Sequence, residues 1–138
     1  EEYKNNVPLK PGVKKFLDML KSMNIKIGLA TSNCHLLLET ALKTNGIYEY
    51  FDAITTTDEV SRGKQFPDVY LLTAKKLNVS PSECIVFEDI LPAVMGAKAA
   101  GMKVVGIYDE YSHYQKNEIL TAADKYIYEY YELMKDAI

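Results

Sequence analysis

Residues 84–102 read CIVFEDILPAVMGAKAAGM. Three apolar residues, Ile85, Val86 and Phe87, lead into two adjacent carboxylates, Glu88 and Asp89, and no basic residue follows until Lys98. A short apolar run of this kind reads as a buried strand, and the small residues 93–100 read as a helix ended by Gly101. Burying an isolated carboxylate costs several kcal/mol unless it is paired, protonated or bound to a metal. An acidic pair at the end of a buried strand therefore calls for a cation that the neighbouring sequence lacks.

The same alternation extends in both directions. Pro11 opens a helix whose apolar positions Val13, Phe16, Leu17, Leu20 and Met23 keep helical spacing. The run IKIGLAT (25–31) predicts a strand, and Asn33 is placed to cap a helix through Leu37, Ala41 and Leu42 that stops near Gly46. FDAITTT (51–57) predicts a second strand, and the polar loop DEVSRGKQFPD (58–68) precedes the helix VYLLTAKKLNV (69–79). Beyond residue 102, KVVGIYD (103–109) predicts a fourth strand. A short helix over 117–122, an edge strand KYIY (125–128) and a helix near Glu132 follow. Strands alternating with helices imply βαβ crossovers and a parallel sheet. Near-continuous apolar strands fit a sheet covered on both faces, so the expected class is α/β with a doubly wound parallel sheet.

Composition narrows the function. The 138 residues are 48% hydrophobic and 25% charged with net charge −3, ordinary values for a globular chain of one domain. Arg62 is the single arginine and the lysines are spread out, which leaves no basic footprint for nucleic acid or an anionic membrane. No apolar run approaches a membrane span, and the first residues do not read as a signal peptide. Cys34 and Cys84 form no CxxC pattern, so two free thiols in a reducing cytoplasm are expected. Two histidines, His35 and His113, are read as ordinary helix-start residues and make zinc improbable. The donor inventory is oxygen, which suits a hard cation such as magnesium.

In doubly wound sheets the ligand lies outside the carboxyl ends of the strands. Three such ends carry useful residues. Thr31, Ser32 and Asn33 close the first strand where a helix begins, and hydroxyls with free backbone N–H groups there make an anion site, although simple capping uses the same atoms. Lys64 lies beyond the second strand, next to Gly63. Glu88 and Asp89 close the third, where a metal would be held. Donors, a cation and metal-binding carboxylates are the parts that phosphoryl transfer requires. The tyrosines at 126, 128, 130 and 131 are read as packing on an edge strand and helix.

Three stretches, taken together, resemble motifs of the haloacid dehalogenase superfamily of hydrolases, in the branch with β-phosphoglucomutase and small sugar phosphatases. IKIGLATSN (25–33) is similar to the second motif, a strand ending in Thr or Ser. GKQFPDVYL (63–71) is similar to the third, usually GKPxPDxYL, and the stretch from Glu88 to the fourth, usually EDSxxGxxAAxxAGM. The resemblance implies that Thr31 and Lys64 are catalytic, and that Thr31, Ser32, Asn33 and Lys64 bind phosphate. It implies that Asp89 ligates Mg2+, and that Glu88 does so directly or through water. Ile90, Ala93, Gln65 and Phe66 depart from the family pattern. The first motif, DxDGTLxDS, is absent, and with it the aspartyl nucleophile and the second Asp that serves as acid and base.

The resemblance thus implies a Rossmann-like core without its N-terminal central strand and helical cap. Residues 1–10 are then a return segment from the cap and residues 11–138 a partial core domain. The expected activity is Mg2+-dependent phosphatase or phosphomutase chemistry on a small phosphorylated metabolite, a sugar phosphate, through an aspartyl-phosphate whose Asp lies upstream. This chain alone would be inactive. In the family the missing strand lies between IKIGLATS and CIVFED. The expectation is that this gap is filled, by a separate N-terminal piece, by a neighbouring chain, or by direct pairing of the two strands. The competing readings are a non-catalytic α/β binding or scaffold domain and a receiver-like signalling domain.

Overall fold

The computed structural model describes residues 10–32 and 34–135. Helix α1 (Val13–Ser22) leads into strand β1 (Gly28–Thr31), and helix α2 (His35–Thr44) returns to β2 (Ala53–Thr56). Helix α3 (Asp68–Leu77), β3 (Ile85–Glu88), α4 (Leu91–Ala99) and β4 (Lys103–Ile107) follow in strict alternation. Helix α5 (Lys116–Ala122), β5 (Lys125–Ile127) and α6 (Tyr131–Lys135) complete the order.

Every ladder is parallel. β1 pairs with β2, placing Thr31 opposite Thr56, while β3 pairs with β4 and β4 with β5. The strands thus fall into a two-stranded and a three-stranded ladder. Among the described residues, β1 and β3 do not pair with each other, so direct pairing across the gap does not occur.

Two apolar layers nevertheless tie the ladders together. On one face Val69, Tyr70 and Ala74 of α3 pack with Val94 and Ala97 of α4, Val104 of β4 and Ile119 of α5. Ala30 of β1 and Val86 of β3 both rest on this cluster. On the other face α1 divides its side chains. Phe16 packs with Val105, Ile107, Ile127 and Tyr130, and Leu17 with Ile27, Leu38, Leu42 and Ile47. Successive strand residues point to opposite faces, so Val104 and Val105, or Val86 and Phe87, serve different layers. Helices on both faces of parallel strands are the doubly wound arrangement that the alternation implies.

Several boundaries differ from the sequence-based expectation. β1 begins at Gly28 rather than Ile25, because Ile27 is held instead by Asp52, whose carboxylate accepts its N–H at 2.8 Å. Helix α2 starts at His35 with Cys34 as its N-cap and no side-chain capping bond. The proposed cap, Asn33, lies outside the described residues, as does nearly all of the segment 1–10. The tyrosines divide by position. Tyr130 is buried against Phe16 and Phe87, whereas Tyr128 is exposed, tilted against Tyr108 and edge-on to Tyr126.

Candidate active site

Strand β2 delivers the chain to a loop that crosses to the end of β3. There the Lys64 ammonium meets Glu88 Oε2 at 2.5 Å, with both side chains largely buried. This contact joins the carboxyl ends of the two ladders on one side of the molecule, since β1 and β2 run parallel in register. The Tyr70 hydroxyl of α3 donates to the same Glu88 oxygen at 2.8 Å, and its ring lies 5.9 Å from the Lys64 ammonium. Burial pushes the Glu88 carboxyl above its usual range, while the charge of Lys64 and the bonds from Lys64 and Tyr70 pull it back. Burial and the neighbouring Glu88 charge likewise raise the Tyr70 phenol, keeping it a donor.

The loop carrying Lys64 is fixed from both sides. Arg62 forms a two-pronged pair with Asp68 at 2.8 and 3.1 Å, and its guanidinium lies 4.2 Å over the Phe66 ring. Phe66, one of the departures from the family pattern, thus supplies the surface on which Arg62 rests. On the far side, Gly96 of α4 sits directly beneath the loop. A Cβ on Gly96 would lie 1.9 Å from the Lys64 carbonyl oxygen and 2.8 Å from that of Phe66. Only glycine permits this approach of helix to loop.

Asp89 is more open, with about a third of its side chain exposed, and Lys10 Nζ lies 3.5 Å from its Oδ2. The same ammonium stands 2.7 Å from Asp109 Oδ1, and it holds the Asp109 carboxyl below its usual range. Thr31 closes β1 at the same end of the ladders, and Ser32 follows in an exposed bend. Of the expected residues, then, Lys64 and Glu88 are brought into contact and Asp89 adjoins them in sequence. Thr31 and Ser32 lie at the carboxyl end of β1, in the other ladder.

Lys10, Asp109, Tyr70 and Gly96 were not singled out from the sequence. Asp109 was within reach of the strand-end argument, because it closes the run KVVGIYD. Lys10 lies 79 positions before Asp89 (89 − 10 = 79), and no local pattern connects them. Among the described residues no group of three or more His, Cys, Asp or Glu side chains gathers as a metal cage. No helix among them is long and apolar enough to cross a membrane.

Parallel strands with helices on both faces, and a lysine set on a largely buried glutamate at a strand's carboxyl end, define an α/β class whose ligands lie at the strand ends. The profile of the family described as haloacid dehalogenase-like hydrolase matches residues 1–107, and the chain belongs to that family. The phosphorylated carbohydrates phosphatase of Thermotoga maritima is 40% identical over 67% of this chain and 43% of its own length. The beta-phosphoglucomutase of Bacillus subtilis is 38% identical over 72% of this chain and 43% of its own. The chain thus spans less than half the length of these curated relatives. The solved structure of CbbY from Rhodobacter sphaeroides in complex with phosphate superposes with a TM-score of 0.83. It is 26% identical, over 91% of this chain and 56% of that one. Membership of this family sets aside the receiver-like reading.

Proposed function

We propose that the chain carries the phosphate- and metal-binding part of a Mg2+-dependent phosphoryl-transfer enzyme, a phosphatase or phosphomutase acting on a small sugar phosphate. The observation that carries this reading is Lys64, which a loop from the end of β2 sets on Glu88 at the end of β3. Burial and a fixed loop hold the ammonium in place, as neutralising a transferring phosphoryl group requires. In this reading the Thr31 hydroxyl and the Ser32 N–H donate to phosphate oxygens, and Asn33, outside the described residues, is assigned to the same phosphate-binding set. The relatives' names, a carbohydrate phosphatase and a phosphoglucomutase, support the sugar-phosphate class.

The donors present suit magnesium. Asp89 offers a partly exposed hard oxygen, and a cation, the Lys10 ammonium, already rests 3.5 Å from it. Glu88 Oε2 is engaged by Lys64 and Tyr70, so contact with a metal falls to its other oxygen or to a bridging water. Bound there, Mg2+ would supply charge neutralisation for the phosphoryl oxygens. Asp89 would hold it, and Glu88 would keep Lys64 aimed. The aspartyl nucleophile would come from outside the described residues.

The test is phosphate release from a panel of sugar phosphates by the whole protein that carries this chain. Asp89→Asn removes a charged ligand at constant shape, and the expected outcome is a loss of Mg2+-dependent kcat of about 100-fold or more with the melting temperature kept. Wild-type rates for Asp89→Asn at limiting Mg2+ would overturn the metal assignment.

A further inference from the structure

Lys10 lies far from Asp89 in sequence, yet it supplies the one ion pair that Asp89 makes among the described residues. The ammonium is shared unequally. It stands 2.7 Å from Asp109 Oδ1, 3.5 Å from Asp89 Oδ2 and 3.4 Å from the Tyr108 carbonyl. The frame around it is fixed. Ser112, only 5% exposed, donates its hydroxyl to the Asp89 carbonyl at 2.6 Å, and its N–H to the Asp109 carbonyl at 3.1 Å. The second oxygen of Asp109 accepts the Tyr111 N–H at 3.1 Å. The turn after β4 is therefore fastened to the backbone of Asp89, and Asp109 is held at a set distance from it. Between the two carboxylates hangs a flexible lysine stem, close to one and loosely on the other.

We infer that Lys10 is a tethered counter-ion of Asp89, which an arriving divalent cation displaces onto Asp109. This rests on the proposed metal role of Asp89 and adds the regulation of that site. With no divalent ion bound, the ammonium neutralises part of the charge that Asp89 and Asp109 bring together. When a divalent ion takes the Asp89 carboxylate, like charges repel at short range and the ammonium retreats to its nearer partner. Lys10 therefore lowers the metal affinity of Asp89, and Asp109 limits that effect by drawing the ammonium away.

The experiment is a Mn2+ titration of the protein, read by the electron paramagnetic resonance signal of free Mn2+ and by broadening of the Asp89 amide resonance. Lys10→Met should tighten Mn2+ binding about fivefold, and Lys10→Gln should do the same, while Lys14→Met, with the same change in net charge, should leave it unchanged. Asp109→Asn should weaken binding about threefold or more, because the ammonium then settles on Asp89. In the Lys10→Met background most of that weakening should vanish. Unchanged or weaker binding in both Lys10 variants would overturn the inference, as would an Asp109→Asn effect of equal size with and without Lys10. Asp89→Asn separates the two claims. If it abolishes Mn2+ binding while the Lys10 variants change nothing, the counter-ion inference alone fails. If it leaves binding intact, the metal role of Asp89 fails and the inference falls with it.

Discussion

Glu88 receives a proton donor and a cation on one oxygen, and neither partner lies near it in sequence. Tyr70 comes from α3 and Lys64 from the preceding loop, so Glu88 works as the post on which Lys64 is mounted. Removing either charge leaves the other largely buried and uncompensated. Lys64→Met and Glu88→Gln should therefore each destabilise the fold, and the double variant should lose less than their sum. The expected coupling is about 1–3 kcal/mol, measured by urea denaturation in a double-mutant cycle. Additive losses would show that the pair is not coupled. Gly96 permits the same arrangement from beneath. A methyl group there meets the Lys64 carbonyl at 1.9 Å, so Gly96→Ala should cost about 1–3 kcal/mol despite the better helix propensity of alanine. A melting temperature lower by about 4–10 °C would register it. At this scale Glu88 and Asp89 were legible because they close an apolar run, whereas Lys64, in a polar loop, stood out through the resemblance of GKQFPDVYL to the family's third motif. Lys10, Tyr70 and Gly96 were not legible, because their roles come from contacts between segments distant in sequence.

Among the elements, Glu59 ties three together. It follows β2 in a short 3-10 turn, accepts the Thr56 N–H at 2.8 Å, and meets Lys76 of α3 at 2.7 Å and His35 of α2 at 3.2 Å. Lys76 first, then the Thr56 N–H, lowers its carboxyl from 4.5 to about 2. A carboxyl depressed in the folded state stabilises the fold above its unfolded value, and that contribution is lost as pH falls from about 4.5 towards 2. Glu59→Gln should cost about 1 kcal/mol at pH 7, kept small because the group is partly exposed. The difference from wild type should shrink when denaturation is repeated near pH 3. Among the described residues, the type and order of the strands and α-helices followed from apolar runs, helical spacing and turn residues. Boundaries did so less well, as β1 shows, because a hydrogen bond between Ile27 and Asp52 replaces strand pairing at a position the apolar pattern alone would extend.

Over the whole molecule, β1 and β3 pair on one edge only among the described residues. The Ile27 carbonyl accepts from Asp52 on the β2 side, and the Cys84 carbonyl accepts from Lys103 on the β4 side. Alternation then turns the N–H groups of Gly28 and Ala30, and of Ile85 and Phe87, towards the unpaired edges. In this chain by itself those four amides should exchange with deuterium at least about tenfold faster than Leu29 and Val86, whose N–H groups face the ladders. Equal protection would show that the edges are covered. The doubly wound order was legible throughout, whereas the division into two ladders was not a feature any single segment could display. In the proposed function Thr31 and Ser32, Lys64 and Asp89 serve one phosphate- and metal-binding site at the carboxyl ends of both ladders. Amide chemical shifts recorded during a titration of this chain with inorganic phosphate and Mg2+ test it most directly. Ser32, Lys64 and Asp89 should shift together and saturate with a shared constant. Shifts confined to other surfaces, or a Lys64 that stays unmoved while Asp89 responds, would contradict it.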